Sequence, residues 1–449
     1  MQQHIVLFSN PIGVSAGQLH GLARALAAAV PEAIFSFVGN RETLILLPRE
    51  PMNLRLIPFE GGIPNGAEPS PELLLTRFLT VGPENYMAML NTAEANADGL
   101  PVTCVISDAF MWVTQSVAKE KMLPWIAFYS GFSLAMLAHI HTDDLRSRFR
   151  IDEAGMAALS QEALDFIPGF ATMRVCDLPN GILFGGIDSA FALLVNGMGT
   201  ILPRADMVVL PSFAGSHEEL DSLIFAKLNL ALLIGPVHLL SPPPPSADRE
   251  GCVPWLNDRP ALSVVYICFG AFITLPPTEL AEVAHGLEDS QVSFLWSIKE
   301  EFRSFLPEGF VERTRAIGKL VSCAPQLCVL NHPAVAVSVT RSGWKDALES
   351  ISAGVPMLCR PFHGDRRMVA RALQEIWGAG VKFDGPINRW SFARAMEGIM
   401  RGSDGKRMRQ CARVLRKKTM EEMLPGRSLS NNFDVLVEFL RGDAEDDCG

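Results

Sequence analysis

The chain has 449 residues, 48% of them hydrophobic and 20% charged, which is enough apolar material for more than one core and excludes a disordered chain or a disulfide-stapled miniprotein. Lysine plus arginine total 39 against 49 aspartate plus glutamate, and the net charge of −10 disfavours nucleic acid or an anionic bilayer as a partner. Nine cysteines, odd in number and scattered through apolar runs without a Cys-x-x-Cys pair or zinc spacing, read as buried free thiols in a reducing compartment, with no metal site.

The start Met1-Gln2-Gln3-His4 lacks a basic n-region, so no signal peptide is expected. The most apolar stretch, 223–240, is interrupted by Lys227, Asn229, Gly235 and Pro236, so no membrane span is expected either. The expectation is a cytoplasmic monomer. From the N-terminus the pattern predicts a buried strand over 4–9, a Gly/Pro loop over 10–17, a helix over 19–30 and a strand over 33–38, which together make a βαβ unit. It recurs as a strand over 101–107 ending in Asp108, a helical stretch from Ala109 and a strand over 125–128. Parallel sheets bind ligands at strand C-termini, which puts Asp108 on a functional edge.

The run Ser241-Pro242-Pro243-Pro244-Pro245-Ser246 is the clearest linker. Beyond it the alternation restarts, with strands predicted over 263–269, 293–297, 319–322, 335–340 and 356–359, and helices over 277–289, 326–330, 344–353, 367–376, 404–422 and 431–440. The expected architecture is α/β, two doubly wound Rossmann-like domains facing across a cleft. Domain one is expected over 1–240, the linker over 241–252, domain two over 253–424, and a C-terminal helix in 425–449 packing back on domain one.

Ala324-Pro325-Gln326 through Trp377-Gly378, with Tyr266-Ile267-Cys268-Phe269-Gly270, Glu349-Ser350 and Arg360-Pro361-Phe362-His363-Gly364-Asp365, resembles the signature of plant family 1 UDP-dependent glycosyltransferases, especially flavonoid and anthocyanidin 3-O-glucosyltransferases. The resemblance spans essentially the whole chain and implies a GT-B fold and sugar transfer from a UDP-sugar to a phenolic hydroxyl. It also implies a catalytic His after the first strand, oriented by an Asp after a later one. Here Ser15 replaces that His and Asp108 keeps the Asp. His20, one turn further on, reads as a helix-surface residue. By the same resemblance Ile12, Trp112, Phe132, His139 and Phe362 line the acceptor pocket, His139 as hydrogen-bond partner or general acid.

The donor half departs further. Cys323 stands where the family stacks uracil on a Trp, Ala271 begins the loop that normally brings phosphate-binding hydroxyls, and Arg341, Lys345 and Asp346 replace the family's His, Asn and Ser. Gln326 and Glu349, the latter the family's ribose-binding carboxylate, are kept, and the sugar-reading Asp-Gln pair is Asp365-Arg366. An added carboxylate at Asp346 should repel a diphosphate. Arg341, Lys345, Arg360, Arg366 and Arg367 either pair with Asp346, Asp365 and Glu349 as a salt-bridged plug or form a cationic wall.

With six contacts changed in one site and the scaffold intact, the expectation is a glycosyltransferase-like protein repurposed to bind a phenolic, flavonoid or polyketide-like molecule. It would catalyse a sugar-independent step (isomerisation, dehydration or cyclisation, possibly cycloaddition) without a cofactor. The alternatives are an ordinary flavonoid O-glycosyltransferase, with UDP-sugar as co-substrate, and a non-catalytic binding protein. Asp108 is the expected acid/base, its other reading being a cap on the helix from Ala109.

Overall fold

A computed structural model describes residues 2–10, 15–45, 47–48, 51–59, 75–76, 79–149, 160–184, 186–212, 218–244, 247–270, 274–383 and 385–442. Its first sheet runs β3-β2-β1-β4-β5-β6-β7, with β1 His4–Phe8, β2 Ile34–Gly39, β3 Leu54–Pro58, β4 Cys104–Asp108, β5 Trp125–Phe128, β6 Met207–Leu210 and β7 Ala231–Leu233. The second runs β10-β9-β8-β11-β12-β13, with β8 Val264–Cys268, β9 Ser293–Ser297, β10 Gly318–Val321, β11 Val335–Thr340, β12 Met357–Cys359 and β13 Gly380–Lys382. The pairings are parallel in both. All five residues of β1 and all six of β11 are buried, the signature of strands covered on both faces, and this is why they read as continuous apolar runs.

The helices that position the site are α1 Ser15–Ala29, α2 Ser133–Ile140, α3 Ala190–Ile201, α4 Pro277–Ser290, α5 Trp344–Ala353 and, at the end of the chain, α6 Ser428–Arg441. One Rossmann-like unit comprises Met1–Pro244 and Glu422–Gly449, the other Pro245–Glu421. In the first, Ile5, Leu7, Leu19, Leu22, Phe35, Ile106 and Phe128 share a core that Leu436, Val437 and Leu440 of α6 join. The Asn432 side chain ties α6 to β7 by donating to the Leu233 carbonyl at 3.0 Å. In the second, β8, β9 and β11 bury Val265, Phe294, Trp296 and Val337 on one face and Val264, Tyr266, Leu295 and Val335 on the other.

Several local expectations change. Helix α1 begins at Ser15, not Leu19, because Gly17 continues the helix instead of breaking it. His20 is not a surface residue: it is buried, edge-on to Phe37 at 5.3 Å, and burial holds its pKa down to about 4. After β4 the chain forms a short 3-10 turn, Ala109–Met111, before a helix at Thr114–Glu120. The predicted helix over 367–376 is an α-helix, Arg366–Arg371, running into a π-turn, Ala372–Ile376. Cys104, Cys252 and Cys359 are buried, but Cys323 and Cys328 are exposed, because both follow β10 on the rim of the second sheet and not within it.

Two glycines let α3 approach its neighbours. A Cβ on Gly199 would overlap the His139 carbonyl at the end of α2, and one on Gly197 would overlap the Trp112 ring. Gly199→Ala is expected to destabilise the protein by about 1–3 kcal/mol, since backbone has to move to admit the methyl. Gly17→Ala, with nothing within 4 Å of its Cβ position, is expected to be neutral or to stabilise by about 0.5–1 kcal/mol. Urea denaturation of the two variants reads the contrast.

Candidate active site

The first sheet reverses its winding between β1 and β4, and chemistry-bearing side chains collect at that switch point. Ser15 opens α1 just after β1; Asp108 is the last residue of the adjacent β4 and is 1% exposed. The Phe110 amide donates to Asp108 Oδ1 at 2.9 Å, so the capping role is real, but it uses one oxygen only. Oδ2 is sealed from solvent and meets no donor of good geometry among the described residues. Burial raises the carboxyl pKa to about 6, against the opposing pull of the nearby Ser15 hydroxyl and the Phe110 amide.

His139 in α2 is also buried, and its Nδ1 has no partner among the described residues. Burial lowers its pKa to about 4, so it is neutral at pH 7 and suited to a hydrogen bond, not to the general-acid role. Phe132 is buried at the entry to α2, whereas Trp112 is half-buried and donates its indole N–H to the Leu194 carbonyl of α3 at 3.1 Å. Trp112 and His139 are thus brought to one helix, α3. Ile12 lies outside the described residues.

The second sheet switches between β8 and β11. Arg341 follows β11 and lays its guanidinium over the Cα of Gly270, the residue two beyond β8, where a Cβ would clash with Nη2. The φ of +85° at Gly270 is what favours glycine there, and a Cβ would also push the Arg341 guanidinium aside. Arg341 lies 5.9 Å from the Phe362 ring centroid and makes no ion pair or hydrogen bond among the described residues. Burial, together with the charge of Arg366, lowers its pKa to about 10, still cationic at neutral pH. Next to it Ser342 holds a φ of +66°, strained for a residue with a Cβ, and Gly343 starts α5 with no side-chain cap on its amides. A half-buried cation that makes no ion pair among the described residues and feels Asp346 only at longer range, beside a helix N-terminus, is suited to a phosphate.

The remaining cations divide. Arg360 belongs neither to a donor-site plug nor to a cationic wall: its guanidinium is held bidentate by Glu279 of α4, at 2.8 and 2.9 Å. Glu279 carries no motif signal and was invisible in the sequence. Arg366 bends back to its own loop, donating to the His363 carbonyl at 3.0 Å, just after Asp365. Phe362 sits in the second unit beneath Arg341 and Arg360 and packs against that unit's core. Cys323 is exposed; its amide donates to Glu250 Oε1 at 3.0 Å. Ala271 lies outside the described residues.

Gln326, Lys345, Asp346 and Glu349 form one network with Tyr266. The Gln326 amide donates to Glu349 Oε2 at 2.7 Å and to Asp346 Oδ1 at 3.2 Å, and accepts from the Tyr266 hydroxyl at 3.1 Å. Lys345 Nζ meets Glu349 Oε1 at 2.5 Å. The Asp346 pKa is raised, chiefly by burial, so this carboxyl repels a nearby anion less than its formal charge suggests. Tyr266 was read as part of a strand and of the family's motif but not as a site residue; its alternation onto the Gln326 face of β8 is the signal that would have found it.

Among the described residues no cluster of three His, Cys, Asp or Glu is arranged to hold a metal, and no helix is long and apolar enough to cross a membrane. Residues 248–420 match the family model for UDP-glucoronosyl and UDP-glucosyl transferases. A myricetin 3-O-rhamnosyltransferase of Crocosmia x crocosmiiflora is 38% identical, covering 99% of both chains. An anthocyanidin 3-O-glucosyltransferase of Vitis vinifera is 34% identical, covering 97% of each. The crystal structure of a UDP-glucose:anthocyanidin 3-O-glucosyltransferase in complex with UDP superposes with a TM-score of 0.92 at 34% identity, over 98% of this chain and 99% of that one. These full-length relatives overturn the expectation of a sugar-independent isomerase or cyclase. That expectation counted changed motif positions one by one, without the spatial fact that one replacement, Arg341, is a cation at the switch point that makes no ion pair among the described residues. The chain belongs to the plant family 1 UDP-dependent glycosyltransferases, of the flavonoid and anthocyanidin 3-O-glycosyltransferase type.

Proposed function

We propose that the protein transfers a sugar from a UDP-sugar to a hydroxyl of a flavonoid-type phenol, with Asp108 as the proton acceptor. The observation that carries this reading is Asp108 Oδ2, a buried carboxylate oxygen at the switch point that meets no well-aligned donor among the described residues, while a cap holds the other oxygen, the Ser15 hydroxyl lies nearby and the carboxyl ionises near pH 6. Relatives that act on myricetin and anthocyanidins support the acceptor class. In the reaction the acceptor oxygen attacks the anomeric carbon and the bond from that carbon to the diphosphate oxygen breaks. UDP leaves with the electron pair, and the phenolic proton passes by way of the Ser15 hydroxyl to Asp108. A serine cannot keep that proton near neutral pH; the carboxylate beside it can.

On the donor side, Arg341 and the open amides of α5 meet the diphosphate, so a fixed cation takes the place of the family's imidazole. The other donor contacts also differ from the family's, with Cys323 in place of the uracil-stacking Trp and Asp365-Arg366 at the sugar end. His139, neutral and with a free Nδ1, orients a second hydroxyl of the acceptor.

Incubation with flavonols and a panel of UDP-sugars, analysed by mass, is expected to yield glycosides; absence of product with every sugar would refute the assignment. Asp108→Asn keeps the cap and removes the base, so kcat is expected to fall about 10²–10⁴-fold. In the wild type the rate should drop as pH falls through about 6, the pKa of the carboxyl. The same group makes a stability prediction. Its folded-state pKa lies above the ordinary 3.8, so between those values the folded protein binds a proton that the unfolded chain has released. Stability therefore declines as pH rises from about 4 to about 6, and Asp108→Asn should abolish that decline in thermal unfolding curves. Arg341→Ala is expected to weaken UDP binding roughly 10–100-fold by calorimetry, the worth of a charge-assisted contact.

A further inference from the structure

Glu349 is the one carboxylate of the second unit's network that a nucleotide ribose would need, on the functional reading above, and both of its oxygens are already engaged. Oε2 accepts from the Gln326 amide at 2.7 Å; Oε1 lies 2.5 Å from Lys345 Nζ. The two partners are not equivalent. Gln326 is anchored from behind by the Tyr266 hydroxyl and shared with Asp346. Lys345 is one helical turn before Glu349 on α5, its side chain is 43% exposed, and no other hydrogen bond holds it among the described residues. Glu349 itself is only 4% exposed. Lys345 is therefore the most weakly held member of the network, partly exposed and tied by one contact.

We propose that Lys345 is a displaceable internal counter-ion that competes with the vicinal diol of the donor's ribose for Glu349. The inference rests on the reading of the second unit as the donor-binding half. Its chemistry is a simple exchange of donors. Two ribose hydroxyls and one ammonium seek the same carboxylate, and the ammonium has the advantage of being tethered within reach four residues away on the same helix, although Lys before Glu is the weaker order of such a pair. Burial works against its charge, but Glu349 and then Asp346 more than offset this and raise its pKa, so it is present as the ammonium at every physiological pH. When the diol binds, the long flexible stem carries Nζ outward to solvent without disturbing the backbone of α5. The cost of breaking the ion pair is charged against donor affinity, so the diol contributes little net binding in the native protein. An uncharged side chain at this position would restore its contribution.

The test compares UDP with 2′,3′-dideoxy-UDP, which lacks the diol, in calorimetric titrations of the full-length chain. Wild-type protein is expected to bind the two nucleotides within about three-fold of each other, whereas Lys345→Asn and Lys345→Met should favour UDP by about ten-fold or more, the worth of roughly one charge-assisted hydrogen bond. Removing the ammonium leaves Glu349 close to Asp346, so Lys345→Met combined with Asp346→Ser serves as the variant in which no like-charge contact compromises folding. A wild-type protein that already prefers UDP ten-fold, with no further change in the variants, overturns the competition while leaving the donor reading intact. If neither nucleotide binds to wild type or to any variant, both fall together.

Discussion

A parallel sheet covered on both faces has no interior place for a charge, and this constraint organises both halves of the molecule. Strand residues of β1, β4, β8 and β11 are almost entirely apolar and buried. Polar side chains are therefore pushed to the C-terminal ends of the strands, and they meet where successive helices leave for opposite faces of the sheet. The first unit gathers Ser15 and Asp108 between β1 and β4; the second gathers Gly270 and Arg341 between β8 and β11. The two places are built alike but hold opposite charge, a carboxyl ionising near 6 in one and a guanidinium in the other.

Burial decides what these groups can do. Asp108 would be an unremarkable helix cap if both oxygens were used; because the turn at Ala109–Met111 is so short, one amide is satisfied and one oxygen is left over. The same desolvation that raises Asp108 lowers His139 and His20, so within one unit the carboxyl becomes the better proton acceptor near neutrality and the imidazoles become neutral.

In the second unit the charges were expected to act together and instead separate into three groups with different jobs. Arg360 and Glu279 form a buried pair that also accepts the Ile387 amide at 3.0 Å and ties α4 to the chain beyond β13. Lys345 and Glu349 neutralise each other within one helix. Arg341 makes no ion pair among the described residues, feels Asp346 only at longer range, and lies against Gly270. Formal charge counts could not separate these roles, because a count carries no information about which carboxylate each cation reaches.

The sequence by itself determined the fold class, most strand positions and the family, because hydrophobic runs between Gly and Pro breaks are local and the motif from Ala324 to Gly378 is contiguous. The strands at Trp125–Phe128, Ser293–Ser297 and Val335–Thr340 and the helix at Trp344–Ala353 were legible to the residue. It also marked Ser15, Asp108, Arg341 and Lys345 as departures or survivals worth attention, and it misled where changed motif residues were read as lost function. Only the tertiary structure decided that one oxygen of Asp108 meets no well-aligned donor among the described residues, that His20 is internal, that Arg360 answers to Glu279 some eighty positions away, and that Lys345 covers Glu349. The reason is physical: pairing, desolvation and close approach depend on distances between elements remote in the chain, and periodicity records only which face of its own helix or strand a residue occupies.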